Sequence, residues 1–259
     1  MTASVQPQAA VDFTEIRNII AALPAMAPVA LPELTRFGRM GEWVAFVARA
    51  QGKSPELRRP RLALFAGAHG CLADSAAQTL ARLQSLTQES DPVVKALSAV
   101  DADLRVYELD LDNPTADYTQ APALSESAAA HAMAYGMMAV EPGVQLLALG
   151  GIGVGGEAAH LALLKALPQS QDPLATLAAH GGLECCAMVG AIIAARLARV
   201  PVLLDGLAAQ AAAAVLARLS ADTVVHTAQA AAVEPDLTLD VGVTSAAAIS
   251  RLKLLVALL

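Results

Sequence analysis

Residues 146–167 read LLALGGIGVGGEAAHLALLKAL. A continuous apolar run, Leu146–Leu149, passes into Gly150, Gly151, Gly153, Gly155 and Gly156, and a helical pattern opens at Glu157. Strands covered on both faces have such uninterrupted apolar character, so the stretch predicts a buried strand, a glycine loop and a helix. Gly151, Gly153 and Gly156 satisfy G-x-G-x-x-G in that context. Glycines let the backbone approach a ligand, and the helix start offers free N–H groups to a phosphate. The same glycines also suit a purely structural tight turn. A dinucleotide site places this motif in the first strand–helix unit, with an acid ending the next strand about 20 residues on. Here the motif is in mid-chain, and Asp172 lies in a loop before another helix, which disfavours a dinucleotide-dependent oxidoreductase.

Outward from this stretch the pattern repeats. Strand-like runs are expected at Arg61–Phe65, Leu104–Leu109, Val144–Leu149, Val200–Leu204, Thr223–Thr227 and Leu237–Val241. Helical runs are expected at Leu72–Leu86, Ser125–Met138, Glu157–Ala166, Leu174–Leu197 and Leu207–Leu219. Strand–helix repetition predicts a three-layer α/β/α fold with a mainly parallel, Rossmann-like sheet and right-handed crossovers. Residues 1–60 read as a small helical arm: Pro24, Pro28 and Pro32 mark a loop, and Gly38–Gln51 forms an amphipathic helix around the lone Trp43. Residues 61–259 form the α/β domain. The polar stretch Leu111–Ala123 follows a strand, where open α/β sheets carry ligand-facing loops.

Composition narrows the function. Of 259 residues, 59 are alanine, 56% are hydrophobic, 3% aromatic and 16% charged, with a net charge of −7. Disorder is excluded by the hydrophobicity. An acidic, aromatic-poor chain is a poor match to nucleic acid. Mean hydropathy is +0.51, yet the best uncharged helical runs, Cys185–Ala195 and Gly206–Ala217, fall short of the roughly 20 residues that span a bilayer. Cys71, Cys185 and Cys186 are too few for a disulfide framework and lack metal spacing. Adjacent Cys185 and Cys186 point to different faces of a helix and read as small buried apolar groups, and a reducing cytoplasm is the expected compartment. The N-terminus shows no secretory leader pattern.

A second block, residues 172–217, contains Asp172-Pro173-Leu174, Gly181-Gly182-Leu183-Glu184, Ala187-Met188-Val189-Gly190-Ala191 and Val200-Pro201-Val202-Leu203-Leu204-Asp205-Gly206. In order and spacing it resembles the nicotinate-nucleotide–dimethylbenzimidazole phosphoribosyltransferases of cobalamin lower-ligand assembly. Phe37-Gly38-Arg39-Met40, the run RLALFAGAHG at Arg61–Gly70, Gly150–Gly153 and Val233-Glu234-Pro235 are similar to further family motifs in family order. The resemblance implies a parallel α/β sheet with a smaller helical part from the chain ends, in a homodimer. It implies phosphoribosyl transfer from nicotinate mononucleotide to 5,6-dimethylbenzimidazole or a related base, with no metal and no cofactor. A carboxylate would take the azole proton while the other ring nitrogen attacks C1′.

The sequence departs from the family where chemistry is expected. Leu149 stands in place of a glutamate, Val154 of an asparagine and Ala68 of an aspartate. A segment with a phosphate-side lysine is missing, leaving Lys165 as the nearby cation. The C-terminal motif that carries the general-base glutamate is reduced to Asp240-Val241-Gly242-Val243-Thr244-Ser245-Ala246, so Asp240 is the weak catalytic candidate. Candidate substrate- and phosphate-binding residues are Gly151, Gly153, Gly155, Gly156, Asp205, Gly206, His69 and Glu184. Glu184 could equally make an internal structural hydrogen bond. His131, His160, His180 and His226 show no ligand spacing and read as surface or core. Glu157 reads as ordinary helix-start charge. The alternative is a catalytically degenerate homologue that binds nucleotide or azole, or completes a heteromer with an active paralogue.

Overall fold

The computed structural model describes residues 12–26, 47–48, 50–51, 56–233 and 240–257. Phe37–Met40, Trp43, most of Gly38–Gln51, Glu234, Pro235 and the greater part of Leu237–Val241 lie outside them. Five parallel strands form one sheet: β1 (Pro60–Ala66), β2 (Asp103–Glu108), β3 (Leu146–Ile152), β4 (Val202–Asp205) and β5 (Thr227–Gln229), in the order β2-β1-β3-β4-β5. Each central residue has a fixed partner, with Leu64 level with Gly150 and Gly150 level with Asp205.

Side chains alternate between two packed layers even though the central strands are buried throughout. Ala63, Phe65, Leu147, Leu149, Val202 and Leu204 face one core cluster. It is covered by α1 (Phe13–Ala21), α4 (Glu126–Gly136), α6 (Pro173–His180), α7 (Leu183–Ala198) and α8 (Leu207–Leu219). Leu62, Leu64, Leu146, Ala148 and Leu203 face the other cluster, beneath α2 (Ser75–Ser85), α3 (Pro92–Ala99) and α9 (Val243–Val256). Helix α5 (Gly156–Ala166) follows β3 directly.

Alanine and glycine bring the first layer close together. A Cβ on Gly190 in α7 would fall 1.8 Å from the Met133 carbonyl oxygen, and one on Gly136 in α4 would fall 1.8 Å from that of Ala187. The two helices therefore touch backbone to backbone. Cys185 and Cys186 are fully buried on α7, as small apolar groups.

The expected single helix Leu174–Leu197 is two helices. Gly181 closes α6 by donating to the Leu177 carbonyl, and Gly182 is extended at φ −98°, ψ 171°. The strand expected at Thr223–Thr227 begins only at Thr227, because residues 221–223 turn as a 3-10 helix with the Thr223 hydroxyl on the Ser220 carbonyl. Asp240 and Val241 are not strand: the Asp240 carbonyl accepts from the Val243 and Thr244 amides and leads into α9. Helix α3 has a clear local signal in Asp91-Pro92, since Asp91 caps the Val93 amide and proline fits the first turn. Among the described residues no helix is long and apolar enough to cross a membrane.

Candidate active site

Strand order alone points to one place. The chain leaves β1 towards β2 on one side and leaves β3 towards β4 on the other, so the connections diverge between β1 and β3. In open parallel sheets ligands bind at such a switch point, outside the carboxyl ends of the strands. At this end β1 runs into Gly67–Gly70 and β3 into the glycine loop. Two hydroxyls of α2 staple the segments together. Ser75 Oγ accepts from the His69 amide at 2.9 Å and donates to the Val154 carbonyl at 2.6 Å, while Thr79 Oγ1 accepts from the Val154 amide at 3.2 Å.

Below this staple lies a buried cluster of ionisable groups. The Glu184 carboxylate, in the first turn of α7, is 1% exposed. His69 Nε2 lies 2.6 Å from Glu184 Oε1, and His160 Nε2 of α5 lies 3.1 Å from the same oxygen but out of line for a hydrogen bond. Burial alone would raise the Glu184 carboxyl; the facing His69 charge and the adjacent His160 imidazole outweigh it and hold it well below the ordinary carboxylate range. Burial pulls His69 down, but the Glu184 charge and hydrogen bond raise it above the usual imidazole value. Glycines surround the cluster. A Cβ on Gly153 would meet His69 Nε2 at 3.0 Å, one on Gly156 would meet it at 2.7 Å, and one on Gly182 would lie 2.3 Å from Glu184 Oε2.

Much of the G-x-G-x-x-G spacing thus accommodates the cluster. Of the loop amides, that of Val154 goes to Thr79 and that of Gly156 to the Gly153 carbonyl. Gly155 adopts φ +90° ahead of α5.

On the other face of the sheet a cavity of about 300 Å³ is lined by Leu64, Arg82, Gly151, Ile152, Asp240 and Val241. Here the structure brings Gly151 and the exposed Asp240 together. Asp205 is level with Gly150 but 3% exposed, and its carboxylate points to the start of α9. Oδ2 accepts from the Gly242 amide at 2.7 Å, the Ser245 amide at 3.0 Å and the Ser245 hydroxyl at 2.5 Å. Burial nevertheless leaves its carboxyl above the usual range. Gly206, at φ +82°, lets the chain pass Val241, whose Cγ2 would lie 2.8 Å from a Cβ there. Asp205 and Gly206 therefore hold the turn that presents Asp240.

Lys165 sits in the last turn of α5, facing a separate hollow with Tyr118 and His180. Arg82 is the cation on the Gly151 cavity, and Asp91 accepts from its Nη1 at 2.7 Å. Sequence reasoning missed Arg82, which looks like an ordinary exposed helix residue. The reading of His160 as surface or core is met by its burial, but the Glu184 carboxylate beside it was not foreseen. The three partners are 91 and 24 residues apart in sequence, so no local spacing could have joined them.

The fold is an open parallel α/β sheet with its crevice at β1/β3, where the glycine loop and the cavity bordered by Asp240 lie. A family model described as a phosphoribosyltransferase matches residues 29–170 and 160–236. The nicotinate-nucleotide–dimethylbenzimidazole phosphoribosyltransferase of Methylocella silvestris is 32% identical over 269 residues, covering 84% of this chain and 79% of that protein. The enzyme of that name from Brucella anthropi is 34% identical over 230 residues, covering 73% and 68%. The crystal structure of the Thermus thermophilus enzyme of that name superposes with a TM-score of 0.75 at 20% identity, over 94% of each chain. The chain belongs to this phosphoribosyltransferase family.

Proposed function

We propose that the chain transfers the phosphoribosyl group of nicotinate mononucleotide to 5,6-dimethylbenzimidazole or a related azole in cobalamin lower-ligand synthesis. What supports this most is the family match together with the Gly151–Asp240 cavity at the carboxyl edge of the sheet. Asp240 takes the N–H proton of the azole, and the opposite ring nitrogen forms a bond to C1′. The bond from C1′ to the pyridinium nitrogen breaks, and its electron pair neutralises that ring as nicotinate leaves. The products are α-ribazole 5′-phosphate and nicotinate, with the proton on Asp240. A positioned base typically contributes about 10²–10⁴-fold to rate. Gly151, Gly153, Gly155 and Gly156 border the nucleotide, His69 and Glu184 fix the loop from beneath, and Asp205 and Gly206 fix the Asp240 turn. The substrates are small molecules, and the assembly is a cytoplasmic homodimer or a heteromer with a paralogue.

The test is incubation of the purified chain with both substrates, with α-ribazole phosphate followed by chromatography. Sustained turnover that drops at least about a hundredfold in Asp240→Asn is expected. Turnover unchanged in Asp240→Asn removes Asp240 as the base. The unmatched family glutamate favours a second reading, a degenerate homologue, and saturable substrate binding without any product would select it.

A further inference from the structure

We propose that His69, His160 and Glu184 form a divalent transition-metal site, with Zn²⁺ as its ion, that pins the glycine loop to α7. Their ligand atoms lie within 4.8 Å of one another, and all three residues are buried. In the hydrogen-bond arrangement the cluster is incompletely satisfied: His160 Nε2 and Glu184 Oε2 are buried without a hydrogen-bond partner. Buried polar atoms are nearly always paired, and an exception calls for an ion or water. One cation among the three groups gives the His160 nitrogen the partner it lacks.

The donor set is chemically apt. Two imidazoles and a carboxylate bind Zn²⁺ at roughly 2.0–2.2 Å, which sets the donor atoms about 3.4 Å apart. His160 Nε2 and Glu184 Oε1 are 3.1 Å apart, and the 2.6 Å between His69 Nε2 and Glu184 Oε1 needs only a sub-ångström opening. Room for that opening is kept by glycine, since a Cβ on Gly156 would lie 2.7 Å from His69 Nε2, 3.1 Å from His160 Cε1 and 3.2 Å from Glu184 Oε1. The cluster is buried on the α7 side of the sheet, opposite the Gly151 cavity, so the ion's effect there is to tie the glycine loop to α7. Binding would displace any proton held by His69, because ligating imidazoles are neutral.

The inference stands apart from the phosphoribosyl reading, since its readout is metal content. The full chain is stripped with chelator, titrated with Zn²⁺ alone, and measured by elemental analysis, calorimetry and thermal melting. About one Zn²⁺ per chain is expected, with a rise in Tm, and His160→Gln should weaken binding at least about tenfold and abolish that rise. His160→Gln keeps a polar side chain at the position, and the Tm of the chelator-stripped variant against that of the stripped parent separates lost zinc binding from lost folding. The exposed His131→Gln serves as the control. Failure to take up Zn²⁺, or uptake unchanged in His160→Gln, overturns the proposal.

Discussion

The Asp205 carboxylate, at the end of β4, lies 2.5 Å from the Ser245 hydroxyl in the first turn of α9. Across 40 residues of chain it does what an adjacent N-cap does locally: it accepts two free amides of a helix start, and it sets negative charge at the positive helix end. Asp205→Ala should lower unfolding free energy by about 2–4 kcal/mol, because three donors lose their acceptor. Ser245→Ala should cost about 1 kcal/mol, and the double variant less than the sum. Urea unfolding of the set measures this; strict additivity would refute the shared cap.

Backbone contact between α4 and α7 is as demanding. In Gly190→Ala the new methyl meets the Met133 carbonyl, and the helices must part. A loss of about 1–3 kcal/mol is expected, opposite in sign to the gain alanine brings to a free helix. A shifted urea midpoint with unchanged slope would confirm it.

At the crevice, Gly156→Ala should impair function more than folding. Its methyl would press on His69 Nε2 at 2.7 Å, moving the loop that the proposed function sets against the nucleotide. The expected outcome is a stability loss of about 1–3 kcal/mol with a raised KM for nicotinate mononucleotide. An unaltered KM would separate the loop from substrate binding.

His226 supplies a pH signature. It is fully buried, its Nε2 donates to the Ile192 carbonyl at 3.1 Å, and burial with Arg196 nearby pushes it down to about 3. The unfolded imidazole binds a proton near pH 6.5 while the folded one does not. Its linked stability is therefore complete above about pH 6.5 and falls with acidity towards pH 3, by up to about 1.4 kcal/mol per unit. Comparing His226→Phe with the parent between pH 6.5 and 5, above the carboxylate range, isolates this slope. Parallel curves would exclude His226 as its source.

The strand–glycine–helix run at residues 146–167 was legible because apolar continuity and glycine punctuation are local. So was the buried state of Cys185 and Cys186. Other features depend on distant partners. Asp205 reads as a site-lining acid until α9 is seen to claim it, and His160 reads as core or surface until Glu184 arrives from α7. The break at Gly181–Gly182 was hidden inside a long apolar pattern, although two adjacent glycines are the signal that would have split it. The departures at Leu149, Val154 and Ala68 were visible in sequence, whereas Arg82 on the cavity was not.

The turn at residues 240–245 also imposes a timetable. Ile152 and Gly151 are synthesised almost ninety residues before the wall that completes their cavity. As the chain emerges, the sheet can assemble and Asp205 can take its place, yet that carboxylate waits without donors until α9 follows. The cavity that Gly151 and Ile152 begin therefore cannot close until residues 240–241 have left the ribosome.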